Sequence, residues 1–445
     1  MTEKNWNQLT HEEKRAERVK RWLEPPDIPF VSPQAKKDYV ARLKRFADAY
    51  RLKKPDRVPV DVPFGDLPLK WKGYTLKDAM YNYDLIPQVW NEFMTKFEMD
   101  TFPAPAMSVL PGRVYDMVGC HLYKYPGNGL PDNALGFQFA EGEYMMGDEY
   151  DALIKDPSDF WVRTYLPRVF TSFGPYRNIS PFTSIVELPG GYFANYAVPE
   201  MQKTLKTFME AGEEFLKYSA VVGSCVEEAA KLGIPTPKTG GLAKAPFDTI
   251  GDTLRGTQGI MKDIYRHPDK LHIAMDRLAD IQIEQAVNAC NASGGLLVTF
   301  PLHKGADSFM SRKQFEVFYW PSLRKVINGL IDEGLIVFLF AEGSYMERLD
   351  MVNEFPKGTV VWRFDKTDMA AAYKALGDTC CLSGNVPASI LSTGTPEAVK
   401  ENCRVLIETC GRNGGYVLNT GCQVDMAPPE NMNAMMEAAL QYGVY

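Results

Sequence analysis

The chain has 445 residues, of which 45% are hydrophobic and 24% charged, a composition that is ordinary for a globular protein. Its net charge of -7 is spread along the chain, and no basic stripe indicates a nucleic-acid partner. No apolar run approaches the roughly 20 residues that span a bilayer, so we expect neither nucleic acid nor a membrane among the partners.

The N-terminal segment and the cysteines indicate the compartment. Residues 1–21 are strongly charged and lack the apolar core of a signal peptide. The eight cysteines are scattered and form no CxxC pair, which is typical of reduced thiols rather than of a disulfide framework. We therefore expect a cytoplasmic protein.

Residues 1–55 have the pattern of a helical arm. Thr10 and Glu13 have the spacing of a capping box that opens a helix, and Ser32 precedes a proline at the start of a second helix that runs to Arg51. Apolar residues three and four positions apart give this second helix one face for packing on the rest of the chain: Tyr39, Leu43, Phe46 and Tyr50.

From residue 56 onward, short apolar runs alternate with amphipathic helical stretches such as 313–333 and 396–410. The apolar runs are 57–63, 100–103, 184–188, 294–300, 335–340, 359–364, 381–386 and 416–418, and a further candidate at 239–245 leaves the third strand open. Strands that alternate with helices indicate βα units and a parallel sheet. The sequence therefore predicts an α/β protein, a (β/α)8 TIM barrel over residues 56–445.

The stretch 112–150 interrupts this alternation. Short runs at 114–118, 121–125 and 135–140 indicate antiparallel strands around a turn rich in Gly, Pro and Asn at 126–133. We interpret the stretch as a small β-rich insertion beside the mouth of the barrel, not as a separate domain.

Four segments have the order and spacing of one known superfamily. They are Leu52-Lys-Lys-Pro-Asp-Arg-Val-Pro-Val60, Ala245-Pro-Phe-Asp-Thr-Ile-Gly-Asp252, Phe309-Met-Ser311 and Ser383-Gly-Asn-Val386 with its continuation to residue 431. In these segments the chain resembles the uroporphyrinogen decarboxylase superfamily, and more its cobalamin-dependent methyltransferase branch than its decarboxylases. The resemblance implies a TIM barrel and methyl transfer that involves a corrinoid.

Polar residues directly after the apolar runs are the candidate site residues, because the loops after barrel strands converge on one mouth. They are Asp61, His303, Glu342, Asp365, Asn385 and Cys422. We expect Glu342 and His303 to be catalytic, and Asp61, Asp365 and Asn385 to bind the substrate.

His303, Glu342 and Cys422 offer the nitrogen, oxygen and sulfur donors of a catalytic zinc site. Zinc-dependent relatives resemble each other in a His-x-Cys pair after one strand and a Cys after the last; Cys422 matches the last position, and Phe340-Ala-Glu342 stands in place of the pair. A site with a carboxylate ligand is a harder Lewis acid, suited to an oxygen or nitrogen leaving group. The alternative is a metal-free site in which Glu342 or His303 is a general acid, with Cys422 a buried apolar residue.

The leading functional prediction is methyl transfer between a small O- or N-methyl substrate, or a pterin, and cobalamin. The Asp-x-His-x-x-Gly loop of corrinoid carriers is absent from the sequence, so the cobalamin is expected on a partner protein. Two alternatives stay open: a decarboxylase-like lyase that acts on a tetrapyrrole, although the Arg-rich loop of such enzymes is missing after the first strand, and a non-catalytic tetrapyrrole-binding barrel. The arm leaves a homodimer open as well.

Overall fold

Two helices form the N-terminal arm, His11–Leu23 and Pro33–Tyr50. The computed structural model describes residues 5–236 and 239–445, so the first four residues of the predicted arm lie outside the described residues. The Thr10 hydroxyl accepts a hydrogen bond from the Glu13 amide at 3.2 Å, and the Thr10 amide donates to the Glu13 carboxylate at 2.8 Å. This reciprocal pair satisfies two amides at the helix N-terminus and confirms the predicted capping box.

The described residues contain ten strands, numbered here in chain order. They are β1 Val60–Asp61, β2 Tyr123–Pro126, β3 Gly129–Leu130, β4 Gln138–Phe139, β5 Thr239–Leu242, β6 Leu297–Leu302, β7 Ile336–Ala341, β8 Val360–Phe364, β9 Cys381–Ser383 and β10 Tyr416–Asn419. Seven of them form a curled sheet in the order β1-β10-β9-β8-β7-β6-β5, and all of its pairings are parallel. The predicted α/β class with a sheet of the TIM-barrel type is confirmed, and β5 is the strand that the sequence left open.

The space between β1 and β5 is bridged without a strand, so the predicted strand at 100–103 is wrong. The amide of Val60 in β1 donates to the Asp100 carboxylate at 2.9 Å, and the Phe102 amide donates to the Pro235 carbonyl at 2.8 Å. The carboxylate of Asp100 also binds the Arg57 guanidinium through two bonds of 2.7 Å. A buried charged side chain here replaces the backbone ladder that a strand would form.

Two further predicted strands, 184–188 and 114–118, are also wrong. The first begins in a 3-10 turn, Phe182–Ser184, and its apolar side chains point into solvent. The second lies within the helix Gly112–Val118, which ends at Gly119 with a φ of +62°. A glycine in the left-handed region is a common helix stop. Within the predicted insertion only β2, β3 and β4 form a sheet, with β2 antiparallel to β4.

Helices cover the outer face of the curled sheet. The longer α-helices after the arm are Leu85–Phe93, Pro199–Lys231, Gly256–Arg266, Pro268–Ser293, Trp320–Asp332, Met369–Leu376, Pro396–Leu406 and Pro429–Tyr442. Shorter ones are Leu67–Trp71, Leu76–Tyr81, Tyr150–Lys155, Pro157–Phe160, Leu166–Val169, Pro246–Asp248, Arg312–Gln314 and Ala388–Thr393. Four π-helical turns continue adjacent helices: Trp161–Tyr165, Thr249–Arg255, Phe315–Tyr319 and Ile407–Gly411. In the described ranges no helix combines the length and apolarity that crossing a membrane requires.

The arm closes one end of the barrel. Phe46 and Tyr50 belong to one buried cluster with side chains near the beginnings of the barrel strands, namely Leu297, Ile336, Val361, Cys381 and Val417. Because side chains alternate between the two faces of a strand, residues two and four positions further along each strand share this inward face. The inward face therefore continues to the opposite end of the barrel, where the strands end.

Candidate active site

The alternation along the strands brings the predicted residues to one mouth. His303 follows β6, Glu342 follows β7, Asp365 follows β8 and Asn385 follows β9, each an even number of positions from an inward residue of the sealed end. Asp61, on β1, pairs in register with Asn419 of β10. Active sites of α/β barrels lie at this end of the strands, so these five side chains surround the expected reaction space.

His303 and Glu342 form a contact pair at this mouth. The Nε2 atom of His303 lies 3.5 Å from a carboxylate oxygen of Glu342. On its other side, Nδ1 of His303 lies 2.6 Å from the Asp252 carboxylate. The side chains of His303 and Glu342 are 34% and 45% exposed, so a ligand at the mouth has access to both.

Asp252 binds two lysines as well as the histidine. The Lys244 ammonium lies 2.7 Å from one carboxylate oxygen, and the Lys304 ammonium lies 2.9 Å from the other. Lys304 is buried and also donates to the Thr257 hydroxyl at 2.8 Å. A carboxylate with three charge-assisted bonds is held ionised and in one orientation.

Asp248 fixes the backbone that carries His303. Its two carboxylate oxygens accept from the amides of His303 and Lys304, both at 3.0 Å. One of them also accepts from the Tyr319 hydroxyl at 2.7 Å. Asp248 is fully buried, and these bonds offset the desolvation of its charge. The loop after β6 is therefore anchored from the helix that follows β5.

These contacts move the pKa values of the cluster apart. Burial alone would raise the pKa of Asp252, but bonds from His303 and Lys244 outweigh it and hold this pKa below its usual range. Burial lowers the pKa of His303, yet the hydrogen bond that His303 makes to Asp252 and the negative charges around it outweigh that effect, so the pKa of His303 lies above its ordinary value. Burial raises the pKa of Glu342, and neighbouring His303 opposes only part of this shift. Both groups that face the mouth therefore keep a proton to higher pH than the free side chains do.

Asp365, Asn385 and Cys422 lie together in a cavity of about 690 Å³ between the loops after β8, β9 and β10. The Asn385 amide donates to the carbonyls of Asp365 and Thr367 at 3.0 and 2.8 Å, so it connects two of these loops. The Asp365 carboxylate accepts from the Gly343 amide at 3.1 Å. Cys422 is exposed, whereas the other seven cysteines are buried.

Asp61 belongs to a separate polar group at the β1–β10 side of the mouth. Its carboxylate accepts from the Thr101 hydroxyl at 3.0 Å and from the Asn419 amide at 3.2 Å. Burial raises the pKa of Asp61, and the nearby Arg363 guanidinium opposes that shift. With both carboxylate oxygens engaged, Asp61 holds the seam between the first and last strands of the sheet.

The predicted zinc donors do not meet. Among residues 5–236 and 239–445, no group of three or more His, Cys, Asp or Glu side chains is arranged to hold a metal ion. His303 and Glu342 are neighbours, but Cys422 lines the cavity with Asp365 instead. The side chains present therefore do not fit a three-ligand zinc site.

Sequence reasoning missed Lys244, Asp252 and Lys304. The first two follow β5, the strand that the sequence left open, so the loop after it received no site residues. Lys304 directly follows His303 but is fully enclosed. The signal that was available is the pair Asp248 and Asp252, four positions apart and hence on one side of a helix. Asp248 has a structural role, because it binds two backbone amides of the loop after β6.

Residues 185–442 match the protein family described as Uroporphyrinogen decarboxylase (URO-D), which is more than half of the chain. Among curated relatives, the chain is similar to the uroporphyrinogen decarboxylase of Serratia proteamaculans, with 26% identity over 209 residues, 45% of this chain and 57% of that protein. It is similar to that of Vibrio campbellii with 28% identity over 202 residues, 44% of this chain and 55% of that protein. The matched part thus spans a little over half the length of these relatives.

A solved structure extends the likeness to most of the chain. The structure described as a methyltransferase from Methanosarcina mazei is similar with a TM-score of 0.56 and 15% sequence identity, over 90% of this chain and 98% of that chain. At this identity the similarity establishes the fold alone. It covers the N-terminal part that the family match does not reach.

Proposed function

The chain belongs to the uroporphyrinogen decarboxylase family, and from this membership and the geometry of its mouth we propose that it is a methyltransferase. It moves a methyl group between a small O- or N-methyl substrate and a corrinoid carried by a partner protein. The observation that carries the proposal is the half-exposed contact pair of His303 and Glu342 beside the reaction space, two acid–base groups within reach of a substrate at the mouth. The solved structure of similar fold is itself described as a methyltransferase, which supports the proposal.

The charge of the mouth favours this reaction over decarboxylation of a polycarboxylated tetrapyrrole. The residues at the ends of the barrel strands include the acids Asp61, Glu342 and Asp365. The cations nearby offer little to a polyanion, because Lys244 and Lys304 are both paired with Asp252, and Arg363 is a single buried group. A substrate with many carboxylates requires several cationic partners to replace its hydration. A neutral or weakly charged methyl donor requires only one acid at its leaving atom.

The chemistry assigned to the chain is protonation of the leaving atom. In the demethylating direction the bond between methyl carbon and oxygen or nitrogen breaks, and its electron pair stays on the heteroatom. The reduced corrinoid, as second substrate, supplies the electron pair that bonds the methyl carbon. His303 Nδ1 lies 2.6 Å from the Asp252 carboxylate, and this carboxylate stabilises the imidazolium form of His303, in which Nε2 also carries a proton. That proton, shared with Glu342, passes to the leaving heteroatom; such general acids contribute about 10²- to 10⁴-fold to a rate.

Asp252 and Asp248 are positioning residues in this scheme. Asp252 orients the imidazole, and Asp248 fixes the His303 backbone amide at 3.0 Å. Neither is placed to touch the methyl donor. Asp365 and Asn385, in the cavity of about 690 Å³, are the proposed contacts for a bulkier substrate such as a pterin.

The test is methyl transfer to free reduced cobalamin, followed by the absorbance change of the corrinoid. Methyl donors of three kinds are compared: an aryl methyl ether, trimethylamine and a methylated tetrahydropterin. We expect turnover with at least one of them, and a loss of about 10²-fold or more in the variants His303→Gln and Glu342→Gln. The control is Glu437→Gln, which removes an exposed carboxylate paired with Lys400 on the outer face.

Two outcomes would overturn the proposal. Release of carbon dioxide from a tetrapyrrole without methyl transfer would make the chain a decarboxylase. Tight tetrapyrrole binding without turnover of either kind would make it a binding protein. Full activity in both His303→Gln and Glu342→Gln would refute the assignment of these two residues as the general acids, even if methyl transfer occurs.

A further inference from the structure

Arg363 is a buried cation whose hydrogen bonds are incomplete. It lies on β8 and is 9% exposed. Its Nε donates to the Thr420 carbonyl at 3.2 Å, whereas its Nη2 is buried and has no hydrogen-bond partner among the described residues. An unpaired buried donor on a charged group carries a large desolvation penalty. Such a donor is satisfied only by an acceptor inside the barrel, either a water or an oxygen of a ligand.

A second unpartnered donor stands beside Arg363. Ser383 of β9 pairs in register with Arg363, and residues in register on neighbouring strands share one face of the sheet. The Ser383 side chain is fully buried, and its hydroxyl has no partner among the described residues. Two adjacent strands thus present a guanidinium N–H and a hydroxyl to the same inward space.

The acidic side chains nearby do not supply the missing hydrogen-bond partner of Arg363. Asp61 accepts from Thr101 and Asn419, and the Asp365 carboxylate accepts from a loop amide. Glu342 lies beside His303. Burial lowers the pKa of Arg363 although these acids raise it, which agrees with a cation that lacks a direct partner.

The inward face of the strands next to β8 keeps exposed surface. The inward side chains Thr299, Phe338 and Phe340 are half-buried, while the alternate, outward residues of the same strands are fully buried. The Arg363 guanidinium carbon lies 4.3 Å from the centroid of the Phe340 ring. Cation–π contact holds the guanidinium flat without using its N–H donors, which leaves Nη2 for a ligand.

We propose that Arg363 and Ser383 bind a carboxylate of the methyl substrate, so the enzyme selects methyl donors that carry a carboxylic acid. A planar carboxylate has two oxygens, one for the guanidinium and one for the hydroxyl. This inference rests on the proposed function for its substrate, but the anion site itself is testable without turnover. Anion binding would place the methyl group of the donor toward the end of the barrel where His303 and Glu342 lie.

Binding is measured by titration calorimetry with the purified chain in the absence of corrinoid. The probes are 4-methoxybenzoate and methoxyacetate, compared with the neutral amides 4-methoxybenzamide and methoxyacetamide. We expect at least one acid to bind about tenfold or more tightly than its amide, and Arg363→Gln to weaken acid binding about 10- to 100-fold while leaving amide binding unchanged. Ser383→Ala should weaken acid binding several-fold in the same direction.

Arg412→Gln is the matched control, because Arg412 is exposed and lies before β10, at the sealed end of the barrel. Thermal melting distinguishes a binding role from a structural one. A structural arginine would be needed for folding, whereas Arg363→Gln removes an unpaired buried charge and should leave the melting temperature equal or higher.

Equal binding of acids and amides by the unaltered chain would overturn the proposal, and this result requires no variant. A parallel loss of acid and amide binding in Arg363→Gln would also overturn it. Acid-selective binding without any methyl transfer would leave the anion site standing and would refute the proposed function instead. Methyl transfer from neutral donors with no preference for acids would support the proposed function and would refute the anion site.

Discussion

Replacing Asp252 by Asn tests the proton-holding geometry most directly. The substitution keeps the shape of the side chain but removes the charge that binds His303 Nδ1 at 2.6 Å, Lys244 at 2.7 Å and Lys304 at 2.9 Å. Without that charge the pKa of His303 falls, and the imidazole loses its fixed orientation. We expect methyl transfer to slow by about 10² to 10⁴, the range that a positioned general acid contributes.

The pH profile separates this role from simple damage. In the intact chain Asp252 raises the pKa of His303 above its ordinary value, so demethylation by protonated His303 declines only as pH rises through that raised pKa. In Asp252→Asn the decline should begin at lower pH. The assay is initial rate against pH, with Asp350→Asn as control, since that substitution breaks an exposed ion pair with Arg312.

Stability must be measured beside the rate, because Asp252→Asn also leaves Lys304 without its anion. Lys304 has a side chain that is 7% exposed, and breaking a buried ion pair on one side costs about 3–5 kcal/mol. Adding Lys304→Met removes the unpaired charge and should recover most of the free energy of unfolding in urea, but not the rate. An unchanged rate and pH profile in Asp252→Asn would refute the assigned role, as would recovery of the rate in the double variant.

Three further predictions follow from other parts of the molecule. Because His303, Glu342 and Cys422 do not converge on a metal position, the protein purified without chelator should show the same zinc content as its Glu342→Gln, Cys422→Ser double variant; near-stoichiometric zinc that is lost in the variant would restore the three-ligand site. Phe46, which is 2% exposed in the cluster that seals the barrel, should lower the free energy of unfolding by about 3–5 kcal/mol when changed to Ala, as measured in urea; a loss below about 1 kcal/mol would show that the arm does not close the barrel. A thiol reagent should modify one cysteine rapidly in the native protein, because Cys422 is exposed and seven cysteines are buried. Rapid labelling of several thiols would contradict this, as would labelling of Cys422→Ser at the same rate as the unaltered chain.

The strand ends were predictable from the sequence because a buried parallel strand is a continuous apolar run with a polar residue at its end. This rule located His303, Glu342, Asp365 and Asn385 at one mouth, as the structure shows. It failed at 184–188, where an apolar run of similar composition has its side chains in solvent. Composition alone does not distinguish a run that pairs with neighbours from one that does not.

The contacts within the mouth were less predictable, because they depend on which strands are neighbours. Cys422 and Glu342 follow β10 and β7, and two strands, β9 and β8, stand between them in the sheet. A zinc site read from donor chemistry ignores this separation. The partner that His303 does have, Asp252, comes from the helix after β5, and β5 is the neighbour of β6. Strand order therefore explains the pair that was missed.

The helix after β5 shows how two similar carboxylates acquire different tasks. Asp248 precedes a π-helical turn, Thr249–Arg255, that contains Asp252. Asp248 is enclosed and binds backbone amides and a tyrosine, and burial raises its pKa, whereas Asp252 meets two lysines and a histidine, and its pKa is lowered. Pairs of titratable groups with pKa values moved apart are typical of acid–base sites, and π-helical turns often occur at functional positions.

The strand order also sets the size of the substrate that can contact the acid pair and the proposed carboxylate site at the same time. The acid pair lies at the ends of β6 and β7, and the proposed carboxylate contacts lie on β8 and β9, the next two strands of the sheet. Neighbouring strands are about 4.8 Å apart, so the leaving atom and the carboxylate of one substrate are separated by roughly one to three such spacings, or about 5–14 Å. A ring with its methyl-bearing atom and its carboxylate on opposite sides spans such a gap, whereas methoxyacetate, whose two groups are separated by a single carbon, is too short to reach both at once. Efficient transfer from 4-methoxybenzoate together with mere binding of methoxyacetate is therefore what this arrangement of strands implies.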